Sequence, residues 1–113
     1  MITIYHNPRC SKSRQGLAIL EASNKPFETV KYLETPLSAS ELKAIISKLE
    51  IKPIDLVRKN EAIWKEEFKG KELTDDQVIE AMVTNPKLIE RPIVTNGNKA
   101  VVGRPPESIE SII

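Results

Sequence analysis

The sequence predicts a mixed α/β fold with a βαβ start, a helical middle, a β-hairpin and a closing helix. Three observations predict it. Met1-Ile-Thr-Ile-Tyr5 alternates and is β-branched, and a helix-like run separates it from a second alternating segment, Glu28-Thr-Val-Lys-Tyr-Leu33. Two capping boxes, Ser38 with Glu41 and Thr74 with Gln77, mark helix starts in the middle of the chain. An Asn96-Gly97 turn then divides two short apolar runs.

Each element follows from its own pattern. The first strand leads to a helix from about Ser11 to Ala22, whose buried side is read from Leu17, Ile19 and Leu20. After the second strand, Ser38 opens a helix with Leu42, Ile45, Ile46 and Leu49 on one face. Ile51 to Arg58 predicts a short helical turn begun at Pro53, and Ala62 to Phe68 another, with Trp64 and Phe68 as core anchors four residues apart. Thr74 opens a helix carrying Val78, Ile79 and Met82, and Asn85-Pro86 ends it, so the middle reads as all helix. Ile93-Val-Thr95 and Ala100-Val-Val102 flank the turn Asn96-Gly97-Asn98 as a hairpin. Pro105 and Pro106 open a last helix with Ile109, Ile112 and Ile113. This is the order of a thioredoxin-like sheet, expected as a single domain over residues 1–113 with a helical insertion at about 37–88.

Bulk properties narrow the function classes. In 113 residues, 17 Lys and Arg stand against 16 Asp and Glu, a formal net charge of +1, so no global basic field exists to hold nucleic acid. No basic leader precedes a long apolar stretch and no run approaches a membrane span, so a soluble, cytoplasmic protein is expected, with no membrane partner. The single cysteine excludes an intramolecular disulfide and a multi-cysteine zinc site. It suits a reducing compartment and makes any thiol chemistry depend on an outside partner. No metal site and no bound cofactor are expected.

That cysteine, Cys10, lies in His6-Asn7-Pro8-Arg9-Cys10-Ser11-Lys12-Ser13-Arg14, between the first strand and the first helix. A thiol attacks as thiolate, which a helix N-terminus and neighbouring cations favour. Free backbone N–H groups at the turn and the charges of Arg9, Lys12 and Arg14, joined by His6 when protonated, would favour a thiolate beside an oxyanion. A lone cysteine is usually a small buried hydrophobe, but the polar and charged flanks here are poor lining for a core. His6 reads equally as a residue that orients the thiol or its partners and as a cap for the turn.

Arg58, Arg91 and Arg104 stand at element ends, beside Lys59-Asn60, Pro92 and Pro105. Taken singly, each reads as solvated surface charge. Together they supply planar forks that fit the oxygens of a phosphate-like anion, although spacing alone does not show them converging. In the predicted fold the chain entering the third strand, Glu90-Arg91-Pro92-Ile93-Val94, meets the thiol. Pro92 there is either a cis proline beside it or an ordinary trans proline at a strand edge.

Together with the cysteine segment, Tyr32-Leu33-Glu34-Thr35-Pro36, Leu56-Val57-Arg58-Lys59-Asn60, Thr74-Asp75-Asp76-Gln77, Asn85-Pro86, Arg91-Pro92-Ile93-Val94 and Gly103-Arg104-Pro105-Pro106-Glu107 resemble, in order, the glutaredoxin-linked arsenate reductase (ArsC) family, in its shorter branch. The resemblance implies a thioredoxin-like fold with Cys10 as the nucleophile toward arsenate or a similar oxyanion. It implies that Arg58, Arg91 and Arg104 hold the oxyanion, that His6 is the histidine near the cysteine, that Pro92 is cis, and that Asn7 and Ser13 support the site. The implied reaction has the Cys10 thiolate attack arsenic(V) and displace water. Glutathione, a co-substrate, adds to the adduct, and glutaredoxin supplies the second reducing equivalent as arsenite leaves.

Two other readings compete. An Spx-like regulator would bind RNA polymerase, but Ser13 stands where the Cys-x-x-Cys switch of its redox-sensing members needs a second cysteine. A glutathione-dependent thiol exchanger needs only one thiolate, so Cys-x-x-Ser is compatible with it. A Cys-x5-Arg phosphatase loop is absent, because the residue six beyond Cys10 is Gly16.

Overall fold

The computed structural model describes residues 1–113, which divide into two compact units, Met1–Thr35 with Arg91–Ile113, and Pro36–Glu90. The first unit carries a four-stranded sheet of β1 (Ile2–Tyr5), β2 (Phe27–Val30), β3 (Ile93–Asn96) and β4 (Lys99–Val102), in the order β2-β1-β3-β4. β1 pairs parallel with β2 and antiparallel with β3, and β3 pairs antiparallel with β4. Helix α1 (Ser11–Ala22) supplies the crossover that a parallel β1–β2 pair requires.

The core of this unit follows from the strand period. Ile2 and Ile4 of β1 point inward and are buried, while Thr3 and Tyr5 alternate to the other face and are half-buried. β3 is central, and Ile93, Val94 and Thr95 are all buried. Ile2, Ile4 and Val94 meet Leu20 of α1 and Ile109 in one cluster, with Leu17 and Ile19 partly buried against it. The innermost stripe of α1 is Ser13, Gly16 and Leu20, not the Leu17, Ile19 and Leu20 expected from hydrophobicity.

Close approach explains the substitution of small residues for large ones. A Cβ on Gly16 would lie 2.9 Å from Ile109 Cδ1 and 3.0 Å from Pro92 Cγ, and one on Gly103 would lie 2.8 Å from Pro92 Cγ. Pro92 and Ile109 are fully buried, so neither has room to withdraw.

Three boundaries in this unit differ from expectation. β2 ends at Val30 rather than Leu33, because its partner β1 ends opposite at Tyr5. The chain then turns, with the N–H groups of Glu34 and Thr35 both donating to the Lys31 carbonyl. The hairpin turn is the two-residue Gly97-Asn98, since Asn96 pairs with Lys99; Gly97 takes φ 63°, the left-handed region that suits glycine at the first central position. The closing segment, Pro106–Ser111, is a 3₁₀ helix rather than an α-helix. Its Ser111 hydroxyl donates to the Ser108 carbonyl, the kind of local serine bond that competes with an α-helical ladder.

The second unit holds α2 (Ala39–Leu49), α3 (Ala62–Glu67) and α4 (Asp75–Thr84), with 3₁₀ turns at Pro53–Leu56 and Pro86–Leu88. Both capping boxes form as the sequence predicts. Ser38 Oγ accepts from the Glu41 N–H at 3.1 Å while Glu41 Oε1 accepts from the Ser38 N–H at 3.0 Å, and Thr74 and Gln77 repeat the exchange. Trp64 is buried and Phe68 half-buried, their rings stacked at 5.4 Å. The unit is not all helix: Val57 and Ile89 form an isolated antiparallel bridge, closed by Arg58 N–H to Leu88 C=O at 2.7 Å and Glu90 N–H to Leu56 C=O at 2.9 Å. A pairing of single residues so far apart leaves no periodic signal in sequence.

The two glycines at Pro92 generate a graded prediction. Gly103→Ala is expected to cost about 1–3 kcal/mol of stability by overpacking. Gly16→Ala should cost less, because alanine recovers about 1 kcal/mol of helix propensity. Denaturant unfolding of both variants checks the order, and a wild-type midpoint for Gly103→Ala would show that the packing yields.

Candidate active site

Register brings the sequence-predicted site residues of the first unit to one end of the sheet. Tyr5 stands opposite both Val30 and Ile93, and Ile93 stands opposite Val102. The chain leaving β1 at His6, the chain entering β3 at Arg91-Pro92 and the chain leaving β4 at Gly103-Arg104 therefore emerge together. Backbone bonds continue the pairing past the strands, with His6 N–H to Val30 C=O and Gly103 N–H to Pro92 C=O, each 2.8 Å.

Cys10 is the N-cap of α1, with extended dihedrals (φ −94°, ψ 124°) and no capping hydrogen bond from its side chain. The first helical bond runs from Arg14 N–H to the Cys10 carbonyl at 3.0 Å. The N–H groups of Ser11, Lys12 and Ser13 precede it, where a helix presents donors to an anion. Asn7-Pro8-Arg9-Cys10 forms a tight turn, closed by Cys10 N–H to Asn7 C=O at 3.0 Å, with Asn7 Oδ1 accepting from the Arg9 N–H at 3.0 Å. Although in a turn, Cys10 is buried, at 9% exposure. Its neighbours in the chain, Arg9, Ser11, Lys12 and Arg14, are exposed.

Ser13 ties this turn to the helix. Its fully buried hydroxyl accepts from the Asn7 N–H at 2.9 Å and bonds His6 Nδ1 at 2.7 Å. In the sequence Ser13 reads as the place of an absent second cysteine and, by resemblance, as a residue that supports the site. Its spacing from Gly16 and Leu20, on the inward stripe of α1, is the signal that places its hydroxyl inside. Arg14 braces the turn from outside, its Nη1 donating to the Pro8 carbonyl at 2.9 Å.

His6 is buried, and this burial, with Lys31 and Arg14 nearby, holds its imidazole below the ordinary value of 6.5 against the opposing hydrogen bond from Ser13. The lowered value favours the neutral ring, leaving Arg9, Lys12 and Arg14 as the cations that flank Cys10 in the chain. A cleft of about 420 Å³ opens beside the turn, between His6–Arg9 and Lys31, Leu33 and Glu34.

The arginines fall into two groups. Arg91 precedes Pro92 through a cis peptide bond, and Arg104 Nη1 donates to the Arg91 carbonyl at 3.1 Å, so these two stand together. A second cis bond joins Arg104 and Pro105. Arg58 belongs to the second unit, where its Nη1 meets Glu61 Oε1 at 2.6 Å and the Lys87 carbonyl at 3.3 Å. No group of three or more His, Cys, Asp and Glu side chains gathers to hold a metal ion, and no helix is long and apolar enough to cross a membrane.

Fold and site define a thioredoxin-like protein with one cysteine capping its first helix. Residues 5–112 match the ArsC family. An arsenate reductase of Neisseria meningitidis serogroup A is 44% identical over 114 residues, covering 99% of this chain and 97% of the relative. The Escherichia coli K12 protein YfgD is also 44% identical over 114 residues, covering 99% of this chain and 96% of its own. Among solved structures, an arsenate reductase from Vibrio cholerae superposes with a TM-score of 0.95 at 44% identity, covering 99% of this chain and 97% of the other. The chain belongs to the ArsC family.

Two outcomes follow for the Ser13 network. Ser13→Ala strands the Asn7 N–H and the His6 ring, and should cost about 1–3 kcal/mol in urea unfolding. The unfolded chain takes up the His6 proton first as pH falls, so the stability His6 contributes is complete above 6.5 and is lost as pH drops through 6.5 toward the lower folded-state value. The thermal midpoint should thus fall as the pH drops below 6.5, and His6→Gln should flatten that slope.

Proposed function

We propose that this chain is an arsenate reductase, with the Cys10 thiolate as nucleophile and Arg58, Arg91 and Arg104 as the side chains that hold the oxyanion. The observation that carries the reading is Cys10 at the N-cap of α1, ahead of the Ser11–Ser13 amides and making no cap bond of its own, in a member of the ArsC family. The arsenate reductases named among its relatives support the choice of substrate.

The chemistry asks for these parts in sequence. Cys10 attacks arsenic(V), an As–S bond forms, and an oxygen leaves as water. The arginine forks neutralise the charge that would repel the thiolate, and helix amides hold the oxyanion oxygens. His6, neutral and bound to Ser13, shapes the turn together with Asn7, and Pro92 borders it. The single cysteine is unable to finish the reduction, which needs two electrons. Glutathione adds to the adduct with loss of a second water, and the glutaredoxin thiolate attacks the glutathione sulfur, so that this As–S bond breaks and its electron pair reduces arsenic(V) to arsenic(III). Water then hydrolyses the bond from Cys10 to arsenic(III), arsenite leaves, the two external thiols end as one mixed disulfide, and Cys10 is regenerated. Such thiol traffic suits a reducing compartment such as the cytoplasm. Phosphate and sulfate share the tetrahedral oxygen geometry and should compete.

The test is arsenate-dependent NADPH oxidation with glutathione, glutathione reductase and glutaredoxin. Cys10→Ser should abolish turnover while leaving the far-ultraviolet dichroism intact; retained turnover refutes the assignment. Turnover of a glutathionylated peptide with none of arsenate would favour the thiol-exchange reading. Replacing Arg91 or Arg104 by Ala should raise the arsenate KM by the equivalent of about 1–3 kcal/mol, and Lys should restore it only in part because it lacks the fork.

A further inference from the structure

Arg58 has five N–H donors, arranged as two forks that share Nη2: an end-on pair with Nη1 and a side-on pair with Nε. The end-on fork is spent locally. Both Nη1 hydrogens have acceptors, Glu61 Oε1 at 2.6 Å and the Lys87 carbonyl at 3.3 Å. The main chain fixes the base of the side chain as firmly, with Arg58 N–H donating to Leu88 C=O at 2.7 Å and Arg58 C=O accepting from the Glu61 N–H at 3.1 Å. Glu61 is the N-cap of α3, yet its carboxylate caps no amide and reaches Arg58 instead. The Arg58 side chain keeps 25% of its surface exposed.

We propose that Glu61 is a positioning residue for Arg58: with the Lys87 carbonyl it grips the Nη1 corner and leaves the Nε–Nη2 edge as the fork offered to an oxyanion. The inference rests on the reading of Arg58 as an oxyanion arginine. It adds a statement about specificity. A guanidinium whose charge is offset by a carboxylate attracts anions weakly through charge alone, so its selectivity comes from the match of two parallel N–H groups to two oxygens. A tetrahedral oxyanion such as phosphate or arsenate meets that demand, and chloride does not.

Titration calorimetry with inorganic phosphate on the full chain tests this, with the arsenate KM as a parallel reading. Glu61→Ala should weaken phosphate binding by roughly 5- to 30-fold. Glu61→Gln keeps an acceptor oxygen and should restore most of that loss. In an Arg58→Ala background, Glu61→Ala should change nothing further, because its effect passes through Arg58. If Arg58→Ala weakens binding while Glu61→Ala leaves it unchanged or tightens it, Glu61 is a bystander or a competitor; the inference falls and the reading of Arg58 stands. An equal loss from Glu61→Ala with and without Arg58 also overturns the inference. If Arg58→Ala itself leaves phosphate binding and the arsenate KM untouched, the reading of Arg58 and the inference fall together.

Discussion

The first unit is organised around one tight packing point, where the Pro92 ring and Ile109 fill the space against Gly16 of α1 and against Gly103 after β4. Glycine at both places lets a helix and a loop approach a buried ring more closely than any side chain would allow. This sets how closely α1 sits on the sheet, and with it where the start of the helix lies in space. Cys10 is the residue at that beginning. The place of the thiol against the sheet thus follows from core packing at Gly16, while its seat in the chain between strand and helix is local.

A second layer of control is polar. Ser13 Oγ is a buried oxygen with two partners from the β1–α1 turn, and a buried hydroxyl without partners would be costly. The bond that satisfies it also holds the turn against the helix. Because burial holds the His6 pKa down and favours the neutral ring, the positive charge at the turn comes chiefly from arginine and lysine.

Three arginines are anchored in the same manner. Arg14 by Nη1 to Pro8 C=O, Arg104 by Nη1 to Arg91 C=O and Arg58 by Nη1 to Lys87 C=O each bind a loop carbonyl through one nitrogen. One such bond removes much of the rotamer freedom of a long side chain, so less entropy would remain to be lost if these side chains held an anion as proposed. Preorganised forks and a thiol at a helix N-terminus are what an enzyme of this family needs if its substrate is a small oxyanion.

Much was legible in the sequence because it rests on local chemistry. The capping boxes at Ser38 and Thr74, the alternation of Ile2 and Ile4 and the seat of Cys10 between strand and helix depend on residues within a few positions of one another. Their physics is unchanged by what lies elsewhere in the chain. Long-range packing decided the rest. Pairing with β1 ended β2 at Val30, the close approach of Pro92 and Ile109 put Gly16 inward where Leu17 and Ile19 were expected, and a backbone bridge joined Val57 to Ile89. The hydroxyl of Ser13, the neutral state of His6 and the Glu61 grip on Arg58 belong to this second class. A hydrogen bond across a fold carries no periodicity, and the charge of a buried imidazole depends on neighbours that only the folded chain supplies.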